Sequence, residues 1–488
     1  MKYAEKVIDI AKNRGFFWPA CEIYPNSPAG FWVYGPLGTM MKNKFLEMWR
    51  KELVRDEEVY EIETTNILPK SVFIASGHIP GFVDKLTVCK KCKNRFRADH
   101  LIEDQTRLKQ LEGLSCEELT KLIKQYKIKC PRCGGYELGD VVDFQLMFKA
   151  DIGAEAGEEG YFRPETTQGT VVELKQTYRT MRGKLPFSIA QTGHVFRNEI
   201  SPRQSLVRMR EFQQAEIQIF FDPEKPNYEE KFKEIEDYRI RFLRPENRPN
   251  RITEEKAADV LKMGYTINPL ITYWLAKLQK FFNKTLGFPI ENIRYKELTQ
   301  SEKAHYSKMH WDLELYSDDF GWVEIANNAY RTDHDLRGHE RQSGEKMEIF
   351  DVNRNVLPHM YEPSIGVDRV ILHYLLIFFR EDEKRHWFAF PKQIAPYVAA
   401  VFPLLKRDGL DEKAKNVFKM LKKEFDVFYD EIGSIGKRYA RADEIGVPYC
   451  ITVDHKTLED GTVTIRNRDT TEQRRIHIDE IPIYLEKN

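Results

Sequence analysis

No run of eighteen apolar residues occurs in this 488-residue chain, so no membrane-spanning helix is expected. The opening stretch, MKYAEKVIDIAKNRGFF, carries acids and lacks the apolar segment and small-residue cleavage site of an export signal. A cytoplasmic protein is the expectation. Excess charge is missing too, with 76 basic residues against 76 acidic. Any nucleic-acid partner must therefore be met by local basic patches. Cysteine is scarce, seven in all and an odd number, which argues against a disulfide framework. No GxxxxGK[ST] sequence is present, so a bound nucleotide would be held without a P-loop. What remains is an ordinary globular composition, 41% hydrophobic and 31% charged. Such a length and composition fit about three domains with real cores.

Phe45, Met48, Trp49 and Leu53 fall on one helical face, behind a tight loop at Gly35, Pro36 and Gly38. Residues 59–75 read as strand, with Pro69 at an edge or bend. Residues 89–135 are lysine-rich, with a CxxC pair at each end. Between the pairs, Ser115 and Glu118 match a capping box ahead of a periodic helix. Two alternating strands follow, KLPFSIAQTGHVFRNE and REFQQAEIQIFF, joined by a loop with Pro202, Gln204 and Ser205. Residues 223–310 read as a charged, mainly helical insertion. After Pro391 strands and helices alternate, as in a separate α/β domain of ordinary size.

Four constellations could carry chemistry. The first is FRNEISPRQSLVRMREF, residues 196–212. Its guanidiniums suit phosphate, and its carboxylates can hold them, accept from a base amine or take an ammonium. A cross-strand salt ladder is the bland alternative. The second is YFRPETTQG, residues 161–169, where a proline fixes the backbone before Glu165. The third is EPSIGVDR, residues 362–369, a glycine-bearing entry into an apolar helix, suited to anions. The fourth is Cys89, Cys92, Cys130 and Cys133, two CxxC knuckles that suit a closed, structural zinc site. Basic clusters near the end, Lys437, Arg438 and Arg441 with Arg466, Arg468, Arg474 and Arg475, read by themselves as a solvated face.

Taken in order, FRADHL, RPETTQG, FRNEISPR, LVRMREF, the GW-x-E and RTD-x-DL segments, EPSIGVDR and SIGKRYARADEIG closely resemble glycyl-tRNA synthetases of the homodimeric, single-chain class II type. The likeness runs over nearly the whole chain, and the class I signatures HIGH and KMSKS are absent. It implies an α+β fold: an antiparallel-sheet catalytic domain from 1–88 and 140–385, interrupted by a zinc-ribbon-like insertion at 89–139 and a second insertion at 223–310. A C-terminal α/β anticodon-binding domain would span 388–488, which raises the functional reading of its basic clusters. Pro69 matches the proline of the dimer-interface motif.

The resemblance implies glycine, ATP with Mg2+, and tRNA(Gly) as partners, with no membrane and no DNA. It gives catalytic roles to Arg197, Glu199 and Arg369. The ATP site would comprise Arg197, Asn198, Glu199, Val207, Arg208, Met209, Arg210, Glu211, Phe212, Glu324, Ile325, Gly366 and Arg369. Arg197 would hold the α-phosphate, Phe212 and Arg369 would sandwich adenine, and Glu324 would meet magnesium or ATP. The glycine pocket would comprise Arg97, Glu165, Phe212, Gln213, Gln214, Glu216, Arg331, Glu362 and Ser364. Thr167 stands where the family favours alanine, and Asn327 where it favours glycine. The rival readings are a class II enzyme for threonine, proline or histidine, and a non-catalytic relative that would have lost its ATP-binding arginines.

Overall fold

The computed structural model describes all residues except 1, 110, 112, 154–157, 203–204, 304–306 and 488. Arg203 and Gln204 of the arginine-rich loop thus lie outside the described residues. A nine-stranded sheet organises the first four-fifths of the chain. In chain order its strands are β1 (Tyr60–Glu61), β2 (Phe187–Phe196), β3 (Glu211–Phe221), β4 (Arg239–Leu243), β5 (Thr253–Lys256), β6 (Ile293–Glu297), β7 (Met309–Ser317), β8 (Gly321–Thr332) and β9 (His359–Gly366). The spatial order is β5-β4-β6-β7-β8-β9-β3-β2-β1. All neighbours are antiparallel except β2 with β1 and β4 with β6. The Val367–Phe378 helix packs beneath the sheet with Val367, Val370, Ile371, Leu375 and others buried.

Two sequence expectations are corrected. Residues 223–310 carry the helices the sequence implies, Pro269–Lys280 the longest, but β4, β5 and β6 also extend the sheet from within them. Their period-two signal is masked by charge: in Arg-Ile-Arg-Phe-Leu only Ile240, Phe242 and Leu243 are buried, and the arginines between them are not. Residues 70–75 are helical rather than strand, since Pro69 closes the strand Ile67–Pro69 and the Lys70–Ala75 helix starts at once.

Within residues 89–139, Cys89, Phe96, Leu101, Ile102, Leu119, Ile123 and Cys130 belong to a core of their own. The capping box forms as the sequence implies, with Glu118 accepting from the Ser115 amide at 2.8 Å and the Ser115 hydroxyl accepting from the Glu118 amide at 3.3 Å. The last hundred residues form a five-stranded sheet of β10 (Ala399–Pro403), β11 (Val427–Tyr429), β12 (Tyr449–Val453), β13 (Thr462–Asn467) and β14 (Gln473–His477), ordered β11-β10-β12-β13-β14. β10 is buried on both faces: Ala399 and Val401 meet one core, Ala400 and Phe402 another. Among the described residues no helix is long and apolar enough to cross a membrane.

Most of the C-terminal arginines are spent inside this domain. Arg466 pairs with Asp443 at 2.8 Å, Arg475 with Asp454 at 2.7 Å, and Arg441 with Asp430. Arg438 and Arg468 are almost wholly buried and donate to main-chain oxygens of Pro403 and Gly446. Lys437 and Arg474 remain exposed. The clusters are thus largely a bracing network, because five of their six guanidiniums meet a carboxylate or carbonyl brought to them by the fold.

Candidate active site

A cavity of about 700 Å³ opens over the middle of the nine-stranded sheet. Its floor follows from strand register. Lys296 lies opposite Asp312, Asp312 opposite Asn327, Asn327 opposite Ser364, and Ser364 opposite Glu216. Residues in register across neighbouring strands share a face. Five polar side chains from five strands therefore form one row, and all five line the cavity.

At one end of this floor the pocket is acidic. Glu216 is fully buried and accepts from Ser364 Oγ at 2.5 Å, Thr167 Oγ1 at 3.1 Å, Gln218 Nε2 at 3.3 Å and the Thr166 hydroxyl. Thr167 Oγ1 also lies 3.1 Å from Glu362 Oε2, so this hydroxyl bridges two carboxylates. Burial raises the carboxyl of Glu216, and the charge of Glu165 adds to the effect. Burial also pushes Glu362 well above the usual carboxylate range, against the opposing charge of Arg331. Glu165 behaves oppositely. Burial works against its charge, but Arg331 and His78 outweigh that and hold it well below the usual range. Arg331 itself is 1% exposed and pairs with Glu165 at 3.2 Å, Asp335 at 2.8 Å and Glu362 at 3.1 Å.

The cavity lining also has a cationic and aromatic part. The Arg197 guanidinium donates to Pro164 O at 3.0 Å and sits 5.2 Å from the Phe212 ring centre and 5.5 Å from that of Phe82. Arg369, in the first turn after Gly366, donates to Glu324 O at 2.7 Å and meets its carboxylate at 3.2 Å. Arg208 pairs with Glu199 at 3.1 Å. Asp312 and Glu324 converge here. Burial and the neighbouring Glu324 push Asp312 up to about 6, while Arg369 and His310 overcome burial to keep Glu324 below the ordinary value.

Most of the expected site residues come together in this cavity: Glu165, Arg197, Glu199, Val207, Arg208, Met209, Phe212, Gln214, Glu216, Glu324, Ile325, Glu362, Ser364, Gly366 and Arg369. Others do not. Arg97 lies in a second cavity of about 710 Å³ beside the cysteine module, where Asp99 at 2.9 Å and Asp84 at 3.4 Å hold it. Arg331 lies behind the pocket rather than in its wall. Arg210 turns away to Ala29 O and Glu199 O, and Asn198, whose main-chain N–H donates to Leu146 O, is not in the cavity lining. Glu211 pairs with His194 at 2.9 Å, and the Gln213 amide nitrogen donates to Thr192. The reason is alternation: on β3, Phe212, Gln214 and Glu216 face the cavity, so Glu211 and Gln213 face away. Arg208 and Arg210 precede this strand, which begins at Glu211, and so do not share a strand face with Phe212.

The structure adds His78, Lys296, Glu302, His310, Asp312 and Asn327 to the lining. His310 and Asp312 had a sequence signal. In MHWDLELYS the polar residues alternate with Trp311, Leu313 and Leu315, the pattern of a strand with one apolar face.

The four cysteine sulfurs lie within 4.8 Å of one another, with Cys92–Cys130 at 3.6 Å and Cys89–Cys133 at 3.7 Å. Zinc–sulfur bonds of about 2.3 Å in a tetrahedron put thiolates about 3.8 Å apart. The donor set and spacing fit zinc.

The profile of the tRNA synthetase class II core domain (G, H, P, S and T) matches residues 148–378, and that of the anticodon binding domain matches residues 398–488. Among curated proteins, the glycine–tRNA ligase of Thermococcus sibiricus is 38% identical across 98% of this chain and 97% of its own. That of Pyrococcus abyssi is 39% identical across 99% and 98%. Among solved structures, the prolyl-tRNA synthetase from Cryptosporidium parvum complexed with halofuginone and AMPPNP aligns with a TM-score of 0.61 at 14% identity. That alignment covers 100% of this chain and 78% of that one, and it speaks to the fold alone.

Proposed function

The chain belongs to the glycine–tRNA ligase family of class II aminoacyl-tRNA synthetases, and from that premise we propose which groups perform each part of the reaction. The activity is ATP-dependent joining of glycine to tRNA. In our assignment the acidic end of the cavity takes glycine. Glu165 and Glu216 face the ammonium, with Glu362 close by. Ser364 and Glu216 crowd Cα. A pocket that merely fits a substrate discriminates one methylene by only about 1–3 kcal/mol. Exclusion of alanine must therefore come from steric overlap with these side chains, which their mutual hydrogen bonds hold in place.

Adenine lies between Phe212 and the guanidinium of Arg369. Arg197 meets the α-phosphate. Glycine's carboxylate attacks the α-phosphorus in line, and pyrophosphate leaves. No enzymatic base is required, because the nucleophile is already ionised. Catalysis is then alignment and electrostatic stabilisation by preorganised guanidiniums. Class II synthetases work with magnesium, and Glu324 with Asp312 offers an oxygen donor set that fits it. Bound there, magnesium would neutralise charge on the phosphate oxygens. A ribose hydroxyl at the 3′ end of tRNA then attacks the carbonyl of the resulting glycyl-adenylate, and AMP leaves as the acyl–phosphate bond breaks. Residues 388–488 are assigned to anticodon recognition and 1–88 with 140–385 to catalysis, in the cytoplasm.

One observation carries this reading: three buried glutamates line a single cavity together with Arg197, Phe212 and Arg369. Amino-acid-dependent ATP–pyrophosphate exchange tests it. Glycine should support the fastest exchange, and a stronger signal with threonine, proline or histidine overturns the assignment.

Two further features are assigned here. Cys89, Cys92, Cys130 and Cys133 would hold a structural zinc. Metal analysis is expected to find one zinc per chain, and chelation to expose residues 89–139 to proteolysis; full protection after stripping would refute it. A homodimer face is supported around Pro69. Ile67 and Ile152 close over Gly160, and both are partly exposed, as is Ile74 on the next helix. Sedimentation as a dimer is expected, with Ile67→Lys yielding monomers. A monomeric parent protein would sink this assignment.

A further inference from the structure

The glycine pocket is braced from behind by residues that do not line the cavity. Arg331, Asp335 and His339 are spaced by four, the last two on the His334–Ser343 helix, and all three are buried. On the helix this spacing puts Asp335 and His339 on one face, and Arg331, near the end of β8, pairs with Asp335 at 2.8 Å. That helix comes close to the Lys70–Ala75 helix at Gly338, where a Cβ would lie 2.2 Å from Ala75 O. Facing it, the side-chain amide of Gln168 is wholly buried. Its nitrogen donates to Glu165 Oε1 at 2.9 Å and Asp335 Oδ1 at 2.9 Å. Its oxygen lies 3.0 Å from His339 Nε2.

An amide offers two N–H donors at one end and an acceptor at the other. Two carboxylates on one side require the nitrogen there, so the oxygen must face His339. His339 must then carry a proton on Nε2. Burial lowers the basicity of this imidazole, against the charge of Asp335, which favours the neutral ring with a single N–H. Glu165 is held in turn on one oxygen. Gln168, Arg331 at 3.2 Å and His78 at 3.6 Å all meet Oε1. Glu165 lines the cavity, so with Oε1 held from behind, Oε2 is the oxygen these three contacts do not use.

We propose that His339 is a positioning residue for glycine binding: by donating to Gln168 it locks the amide that fixes Glu165, leaving one carboxylate oxygen for the ammonium. This rests on the assignment of Glu165 to glycine. A second-layer contact of this kind acts through geometry, since small misplacements of a binding group are costly.

The test compares His339→Leu with His339→Gln in pyrophosphate exchange by the full chain. Glutamine can place an N–H near the position of Nε2; leucine cannot. The leucine variant is expected to raise the glycine KM about tenfold or more while the ATP KM stays near that of the parent. The glutamine variant is expected to recover most of that loss. Equal glycine KM in both variants, or glycine and ATP KM rising together, overturns the proposal. Should the leucine variant not fold, Gln168→Met replaces it, with the same glycine-only rise expected and an unchanged KM overturning the idea. The parent protein is assayed first. Absence of glycine-dependent exchange there refutes the functional assignment, whereas normal exchange with unaffected variants refutes only the positioning role.

Discussion

Arg197→Ala is expected to lower glycine-dependent pyrophosphate exchange by on the order of a thousandfold, about 4 kcal/mol of transition-state stabilisation. The side chain is prepared for this role before substrate arrives. Pro164 O fixes its Nε, and the rings of Phe212 and Phe82 flank the guanidinium. In the proposed assignment its terminal nitrogens then meet, without reorganisation, the place where charge moves from α-phosphate to pyrophosphate. Lysine should recover little, because a point charge cannot reproduce a planar, stacked fork. The fold should survive, since the side chain sits at the cavity wall and the backbone bond from its amide to Arg210 O is retained. Circular dichroism and the melting temperature check that point. Undiminished exchange by a folded alanine variant would remove Arg197 from the mechanism.

The second large effect is in substrate binding. Glu216→Gln keeps shape and removes charge, and glycine KM should rise on the order of a hundredfold with little change in ATP KM. The charge count behind the pocket explains the size. Glu165, Glu216, Glu362 and Asp335 are all buried; Arg331 pairs with three of them, and the buried guanidinium of Arg163 interacts electrostatically with Glu216. An arriving ammonium therefore meets an excess of negative groups, two of which hold protons more tightly than usual. Burial raises both Glu216 and Glu362.

The sign of the pH dependence follows. A raised folded-state pKa contributes stability that is complete below the unfolded carboxyl value of about 4.3 and is lost as pH climbs through the folded value. The ligand-free protein should therefore lose stability as pH rises through the raised values. Glycine binds better over the same interval, as ionised carboxylates accumulate to meet it. Melting curves and glycine KM measured together across that interval check both signs. A glycine KM indifferent to pH would contradict the assignment.

Much of this was legible in the residues themselves. The four cysteines declared their module by spacing, and the Ser115–Glu118 box placed its helix correctly, because both are local. The alternation of REFQQAEIQIFF is visible in the sequence, and it already separates Phe212, Gln214 and Glu216 from Glu211 and Gln213. The resemblance nevertheless drew Glu211 and Gln213 into the site, and the structure returned them to the other face.

Charge was the least legible property. Arg97, Arg210, Arg331, Arg466 and Arg475 are chemically equivalent in a linear reading, and each could have met substrate or tRNA. Their partners are Asp99, Ala29, Asp335, Asp443 and Asp454, and only folding decides which guanidinium is already satisfied. The same holds for Lys296 and Asp312, which reach the cavity through strand register between segments distant in the chain. Local periodicity placed many of the elements, cysteine spacing marked its module, and the resemblance carried by the motifs implied the class of reaction. Tertiary structure alone decided which charges are spent on the scaffold and which are left for substrate. The physical reason is that pairing and burial are set by neighbours in space, and a charge's role depends on what already balances it.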